Sequence, residues 1–276
     1  MLFAGPSRYS APADRVAYYG KVSMGRTPGL SKAQQLEKMQ RDWDARAREN
    51  ALYYVATGKA EWSDEDFYAS GEQAIAEDIL TDMTNICQGK DPKTMRVLEI
   101  GCGAGRLTRA LANVFGEVHA VDVSGEMIAR ARRALAGHPH AHVYQNNGCD
   151  LTVVPPLARG ESTFWTPRWL ARMAPLSWKI GFDFAYSNIV FQHIPSREVI
   201  ENYVREVHRL LRPGALFKFQ VQGYPLDPND LQPDDTWTGV SFSEQEACAM
   251  AERNRFDPRY RHGAGTQNFW VWYFKK

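Results

Sequence analysis

One stretch restricts the fold more than any other: Val97-Leu98-Glu99-Ile100-Gly101-Cys102-Gly103-Ala104-Gly105-Arg106. An apolar run ends in a carboxylate, and three glycines follow on alternate positions. This reads as a buried strand, a turn that needs backbone freedom, and a helix opening at Arg106. Glycine admits dihedrals that other residues resist and lets a ligand sit against bare backbone. The helix then aims its first N–H groups at whatever fills the turn. Asp122 follows the next apolar run, Val118-His119-Ala120-Val121, and so stands at the tip of a second strand. An acid about 20 residues past such glycines is where nucleotide-binding α/β folds hold ribose hydroxyls.

Two cofactors fit this outline, a dinucleotide and S-adenosylmethionine. The dinucleotide fingerprint asks for a small residue where this chain has Arg106. Here the glycines run G-x-G-x-G, and Glu99 precedes the first by two positions. A ligand ending in a cationic amino-acid group needs an anion near the turn more than a phosphate cradle. Glu99 supplies one, directly or through water.

Glu99-Ile100-Gly101-Cys102-Gly103-Ala104-Gly105 resembles the first motif of the class I S-adenosylmethionine-dependent methyltransferases. Val121-Asp122-Val123-Ser124-Gly125-Glu126-Met127-Ile128 is similar to the segment that follows it. Phe182 to Pro195 resembles the fourth-strand motif, and Leu210-Leu211-Arg212-Pro213-Gly214 the turn into the fifth strand. The four matches arrive in the family's order. The resemblance implies a seven-stranded Rossmann-like sheet with helices on both faces, closed by an antiparallel pair. It implies S-adenosylmethionine as cofactor, held by Glu99, Gly101, Gly103, Gly105, Asp122, Val123, Met127 and Asn188. In the loop after the third strand, Asp150 matches the acid that holds the adenine amino group, flanked by Cys149 and Leu151.

Composition narrows the class. The chain has 276 residues, 44% of them hydrophobic, and a formal net charge of +1. No global basic field invites a nucleic-acid backbone. No apolar run approaches the roughly 20 residues that cross a bilayer, and the first residues lack a secretory signal pattern. A cytoplasmic protein is expected. Cys87, Cys102, Cys149 and Cys248 show no C-x-x-C spacing, so neither a zinc site nor a disulfide framework is indicated.

Along the chain, residues 1–30 are Gly/Pro/Ser-rich and read as a flexible arm. Residues 31–92 read as a helical extension, with Ser31 an N-cap and Leu36, Met39, Trp43 and Ala47 at helical spacing. Ser63 to Asp66 starts a second helix, whose face of Ile75, Ile79, Met83 and Ile86 runs to about Gln88. This extension is either a layer packed on the sheet or a partial lid contributing Trp43, Tyr53, Tyr54 or Trp62. Residues 93–276 form the methyltransferase domain, with strands and helices alternating as a parallel sheet requires. Residues 152–181, dense in tryptophan and proline, read as an insertion before the fourth strand that walls a substrate pocket or packs on the helical layer.

The expected function is methyl transfer to O, N or C of a small-molecule acceptor, in which an aromatic one suits the tryptophan-rich insertion. A non-catalytic cofactor-binding partner or regulatory subunit is the alternative. Protein or RNA methylation ranks below both, and no membrane partner is expected. Positioning alone supplies about 7–11 kcal/mol of such a barrier, so no catalytic triad is needed. His193, just past the fourth strand, is the candidate base, with Gln192 and Tyr186 weaker polar candidates. His138, His140 and His142 alternate as metal ligands do, but no neighbouring carboxylate or cysteine completes a set, and no metal is expected.

Overall fold

Val, Leu, Ile and Phe run continuously through the central strands because those strands are covered on both faces, as parallel strands are. All six residues of the strand Phe182–Ser187 are buried. The computed structural model describes residues 30–155, 181–224 and 236–276. The expected arm (Leu30 apart), the insertion from 156 to 180 and the loop at 225–235 lie outside the described residues.

The elements, in chain order, are α1 (Lys32–Val55), α2 (Asp64–Asp78), α3 (Met83–Cys87), β1 (Arg96–Ile100), α4 (Arg106–Val114), β2 (Glu117–Asp122), α5 (Gly125–Ala134), β3 (Ala141–Gln145), β4 (Phe182–Ser187), α6 (Arg197–Leu210), β5 (Leu211–Val221), α7 (Glu244–Arg253), β6 (Phe256–His262) and β7 (Phe269–Lys275). One sheet carries seven strands in the order β3-β2-β1-β4-β5-β7-β6. The first five are parallel, and β7 runs antiparallel to both β5 and β6. The chain reverses its strand order between β1 and β4, so a crevice opens beyond their carboxyl ends.

Alternate residues divide the core. Leu98, Ala185, Phe217, Phe219 and Val271 pack with Val199, Ile200, Val204 and Val207 of α6 and Ala247 of α7. Val97, Val118, Phe184 and Leu216 face the other way, against Ile75 of α2, Ile86 of α3 and Leu107 and Leu111 of α4. Serine caps start the helices. Ser31 and Ser243 complete reciprocal capping boxes with Gln34 and Glu246, and Ser63 accepts from the Asp66 N–H at 3.1 Å. Among the described residues no helix is long and apolar enough to cross a membrane.

One expectation fails here. The face through Ile75, Ile79, Met83 and Ile86 does not lie on one continuous helix. α2 ends at Asp78, and a short 3-10 turn at Leu80–Asp82 precedes α3. At the break the buried Lys218 of β5 donates its ammonium to the Asp78 carbonyl that a continuing helix would have used. Lys218 also pairs with Asp82 at 3.2 Å, and Trp272 Nε1 donates to the same carboxylate at 2.6 Å. A buried ammonium needs such partners, and local periodicity cannot announce them.

α2 and α4 meet at a small residue. A Cβ on Gly71 would lie 2.3 Å from the main-chain oxygen of Arg106. Gly71→Ala should therefore push apart the helix that opens the glycine turn and cost about 1–3 kcal/mol, the usual range for overpacking. Urea unfolding checks this: an unchanged midpoint would show that the two helices do not depend on the close approach.

Candidate functional site

The glycine turn leaves β1 with Gly101 at φ 77° and Gly103 at φ 52°, both left-handed. Side chains are excluded there as well as strained: a Cβ on Gly101 would sit 2.2 Å from Val190, and one on Gly103 2.7 Å from Val55. The turn is tied to β2 by its own backbone, since the N–H groups of Gly101 and Cys102 both donate to the Val121 carbonyl. Asp122 adds the side-chain joint. One oxygen accepts from the Gly103 N–H at 2.8 Å and the other from the Ser124 N–H at 2.9 Å.

Two carboxylates thus face a pocket lined with apolar groups. Glu99 is 2% exposed and accepts from the Thr108 hydroxyl at 2.6 Å. Burial pushes its carboxyl up to about 8, against the opposing pull of the Thr108 hydroxyl. Asp122 is raised to about 6 by burial, partly offset by its backbone N–H donors. Near neutral pH the Glu99 carboxyl therefore favours its protonated form, although the nearby Arg106 charge also pulls toward ionisation.

α1 covers the mouth. Met39, Trp43, Tyr54 and Val55 all line the pocket. At Asn50 the helix departs from helical dihedrals, and the Asn50 side chain recaps the last turn by accepting from the Tyr53 N–H at 3.1 Å. Asp44 Oδ1 accepts from the Ser124 hydroxyl at 2.6 Å and the Glu126 N–H at 3.2 Å, clamping α1 to the start of α5. Of the other residues weighed as lid, Trp62 packs on Phe67 and donates to the Ala56 carbonyl, and Tyr53 does not line the pocket.

At the far end, the 3-10 turn Phe191–His193 presents His193. Its ring lies edge-on to Trp43 with centroids 5.3 Å apart, and 5.0 Å from the ring of Trp237. Arg46 stacks over both indoles, at 4.8 and 5.3 Å, and donates to the Thr236 hydroxyl at 3.0 Å. Ile189, also in the lining, adopts φ 56°, an uncommon state for a β-branched residue. Its N–H is held by Gln220 Oε1 at 3.2 Å.

Of the residues expected from sequence, Glu99, Gly101, Gly103, Asp122, Val123, Met127, Asn188 and His193 come together in this lining. Gly105, Cys149, Asp150 and Leu151 do not. Gly105 instead passes close to Ala131 of α5. The Asp150 carboxylate is used inside its own turn, accepting from Asn147 at 2.7 Å and from the Thr152 hydroxyl at 2.6 Å. Leu151 is core, and the Cys149 carbonyl accepts from Asn202. Tyr186 points to the opposite face, where its hydroxyl donates to Asp78. Asn146, Tyr203 and Val190 join the lining unforeseen; Asn146, which donates to the Tyr203 hydroxyl at 2.7 Å, was signalled only by its place at the end of β3.

The histidine reading also changes. His142 does meet a carboxylate, because Glu117, His119 and His142 bring ligand atoms within 4.8 Å of one another. The Arg96 guanidinium occupies that corner, 2.6 Å from Glu117 Oε2 and 3.3 Å from His119 Nε2. A fixed cation there opposes a dication, and Glu117 and His119 already share hydrogen bonds with it and with each other.

The family described as Methyltransferase domain matches residues 98–217. The protein-L-isoaspartate(D-aspartate) O-methyltransferase family matches residues 33–151. A malonyl-[acyl-carrier protein] O-methyltransferase of Enterobacter lignolyticus is 30% identical over 45% of this chain and 38% of its own. Ribosomal RNA small subunit methyltransferase A of Geobacter sulfurreducens is 34% identical over 43% of this chain and 41% of its own. The chain thus spans about two fifths of these relatives. Similar solved folds include magnesium protoporphyrin IX methyltransferase (ChlM) from Synechocystis PCC 6803 with bound SAM, at TM-score 0.56 and 12% identity over 91% of this chain and 100% of that one. Phosphoethanolamine N-methyltransferase 1 of Haemonchus contortus superposes at TM-score 0.60 and 13% identity over 89% of this chain and 50% of that one. DhpI in complex with SAH does so at 0.54 and 18%, over 88% and 98%.

Glu99 gives this site a pH signature. With its folded value near 8 and its unfolded value ordinary, Glu99 costs nothing below about pH 4.5, and its cost grows as pH rises toward 8. Glu99→Gln should accordingly melt higher than the parent at pH 8, with the difference gone near pH 4.5. Parallel melting curves across that range would disprove the burial effect.

Proposed function

The chain belongs to the class I S-adenosylmethionine-dependent methyltransferases, and from that premise we propose that it methylates a small-molecule acceptor at O, N or C. The observation that carries this reading is the pair of carboxylates, Glu99 and Asp122, converging on a glycine turn that no side chain could enter. The residues present fit the cofactor. Gly101 and Gly103 leave bare backbone for its approach, and Glu99 answers a cationic amino-acid end. Asp122 answers ribose hydroxyls, and Met127, Val123 and Met39 offer apolar surface. When bound, S-adenosylmethionine supplies an electrophilic methyl group on a sulfonium. The protein's part is to orient the acceptor for in-line attack and to exclude water. Trp43, Tyr54 and Val190 do the excluding. A small acceptor suits a pocket that α1 already roofs over.

Calorimetric titration with S-adenosylmethionine, S-adenosylhomocysteine and NAD tests the assignment. Micromolar binding of the first two and none of NAD is expected. Glu99→Ala and Asp122→Ala should each weaken binding by about 1–3 kcal/mol, as loss of charged hydrogen bonds does. Unchanged affinity in both variants would remove the cofactor assignment. Because a cation lowers the raised Glu99 value, binding at pH 7 should release a proton, and Glu99→Gln should abolish that release in buffers of differing ionisation enthalpy.

A further inference from the structure

α2 ends on two acids, Glu77 and Asp78, with no basic residue in its last turn. Carboxylates there meet the negative end of the helix dipole, so the helix itself gives no reason for Asp78. Its side chain is engaged by β4 instead. Oδ2 accepts from the Tyr186 hydroxyl at 3.0 Å and from Asn188 Nδ2 at 3.4 Å. Both donors reach one oxygen, so Tyr186 and Asn188, two positions apart, turn to the same side of the sheet. Tyr186 is wholly buried, whereas Asn188, one residue past the end of β4, lines the pocket. Asp78 does not line it.

The main chain on either side of Asn188 is fixed independently. The Ser187 hydroxyl donates to the Ile100 carbonyl at 3.0 Å. Gln220 accepts from the Ile189 N–H and donates to Gln192 Oε1 at 3.2 Å, a relay that holds the chain beyond Asn188. What is left to orient is the side-chain amide. Oδ2 of Asp78 draws the NH2 end toward itself and leaves Oδ1 as the other end. No donor among the described residues meets Asn188 Oδ1. Glu99 stands on the same side, since it pairs with Tyr186 across β1 and β4, and it lines the same pocket. An amide oxygen and a carboxyl together suit an ammonium, which donates three times and accepts nothing. Burial raises the Asp78 carboxyl and Glu77 adds to this, while Lys218, the Tyr186 hydroxyl and Arg106 pull toward ionisation.

Resting on the cofactor reading, we propose that Asp78 is a positioning residue that turns the Asn188 amide so that Oδ1 receives the ammonium of the cofactor's amino-acid end. Recognition of that end then depends on the helical extension as well as on the methyltransferase core. Asp78 does not touch the ligand, and its effect passes through Asn188.

Calorimetry on the full chain tests it. S-adenosylhomocysteine binding to the parent is measured first, since its absence would remove the cofactor reading and this role with it. 5′-Methylthioadenosine, which keeps the nucleoside and lacks the amino-acid end, is the second ligand and reports whether each variant is folded. Asp78→Ala should weaken S-adenosylhomocysteine about tenfold, as loss of a hydrogen bond to a charged group does, and leave 5′-methylthioadenosine unchanged. Asp78→Asn, which keeps an acceptor oxygen in place, should bind both ligands as the parent does. In an Asn188→Ala background, Asp78→Ala should have no further effect. Equal losses for the two ligands would reduce Asp78 to a structural role, and no loss for either would leave it none. A loss in Asp78→Asn equal to that in Asp78→Ala would assign the effect to charge. A full loss persisting without Asn188 would place Asp78 on the ligand directly. Any of these four results overturns the proposal.

Discussion

Asp122 is the joint on which the site depends. Its two oxygens accept from backbone N–H groups on either side, Gly103 in the turn after β1 and Ser124 at the start of α5. Each bond fixes the direction of a separate chain segment, and together they set the width of the crevice where strand order reverses. An alanine there would leave two backbone donors to solvent and let the glycine turn relax. Hydrogen bonds to a charged acceptor are roughly twice as strong as neutral ones, so one side chain organises both halves of the crevice floor.

The roof obeys the same logic. α1 is anchored at one point to the start of α5, through Asp44 on Ser124 and Glu126. Two residues later it is anchored to the other side, through Arg46 on Thr236 and the stacked indoles of Trp43 and Trp237. Trp43 immediately precedes these anchors in sequence and packs against His193. A displacement of α1 therefore reaches both ends of the pocket at once. Local interactions do not set this arrangement; it comes from residues about 80 and 190 positions apart meeting over the strand ends.

Much of the floor was legible in the sequence because it is local. Glu99, Gly101, Gly103 and Asp122 occupy strand ends and a turn, where spacing alone specifies geometry. The strand and helix limits fell within a few residues of expectation for the same reason, since Ser31, Ser63, Ser124 and Ser243 all act as caps. What escaped was tertiary. The break after Asp78 coincides with a lysine 140 positions away that takes the Asp78 carbonyl, and the Asp150 carboxylate accepts from Asn147 and Thr152 inside its own turn. The Gln220–Gln192 relay joins the end of β5 to the loop after β4, and nothing in either segment marks the other as its partner.

Burial of Glu99 connects folding with recognition. Near neutral pH the carboxyl favours its protonated form, because ionising it in an apolar wall costs more than the Thr108 hydroxyl and the nearby Arg106 charge return. A neutral acid pays little desolvation and leaves the glycine turn undistorted. A ligand bearing an ammonium changes the balance, since the charged pair then forms where water is scarce and Coulomb attraction is weakly screened. A neutral or anionic ligand of the same shape gains nothing from Glu99 and still has to strip water from its own polar groups. A carboxyl raised in this way adds little charge to the pocket near neutral pH, and its ionised form is favoured only where further positive charge stands beside it.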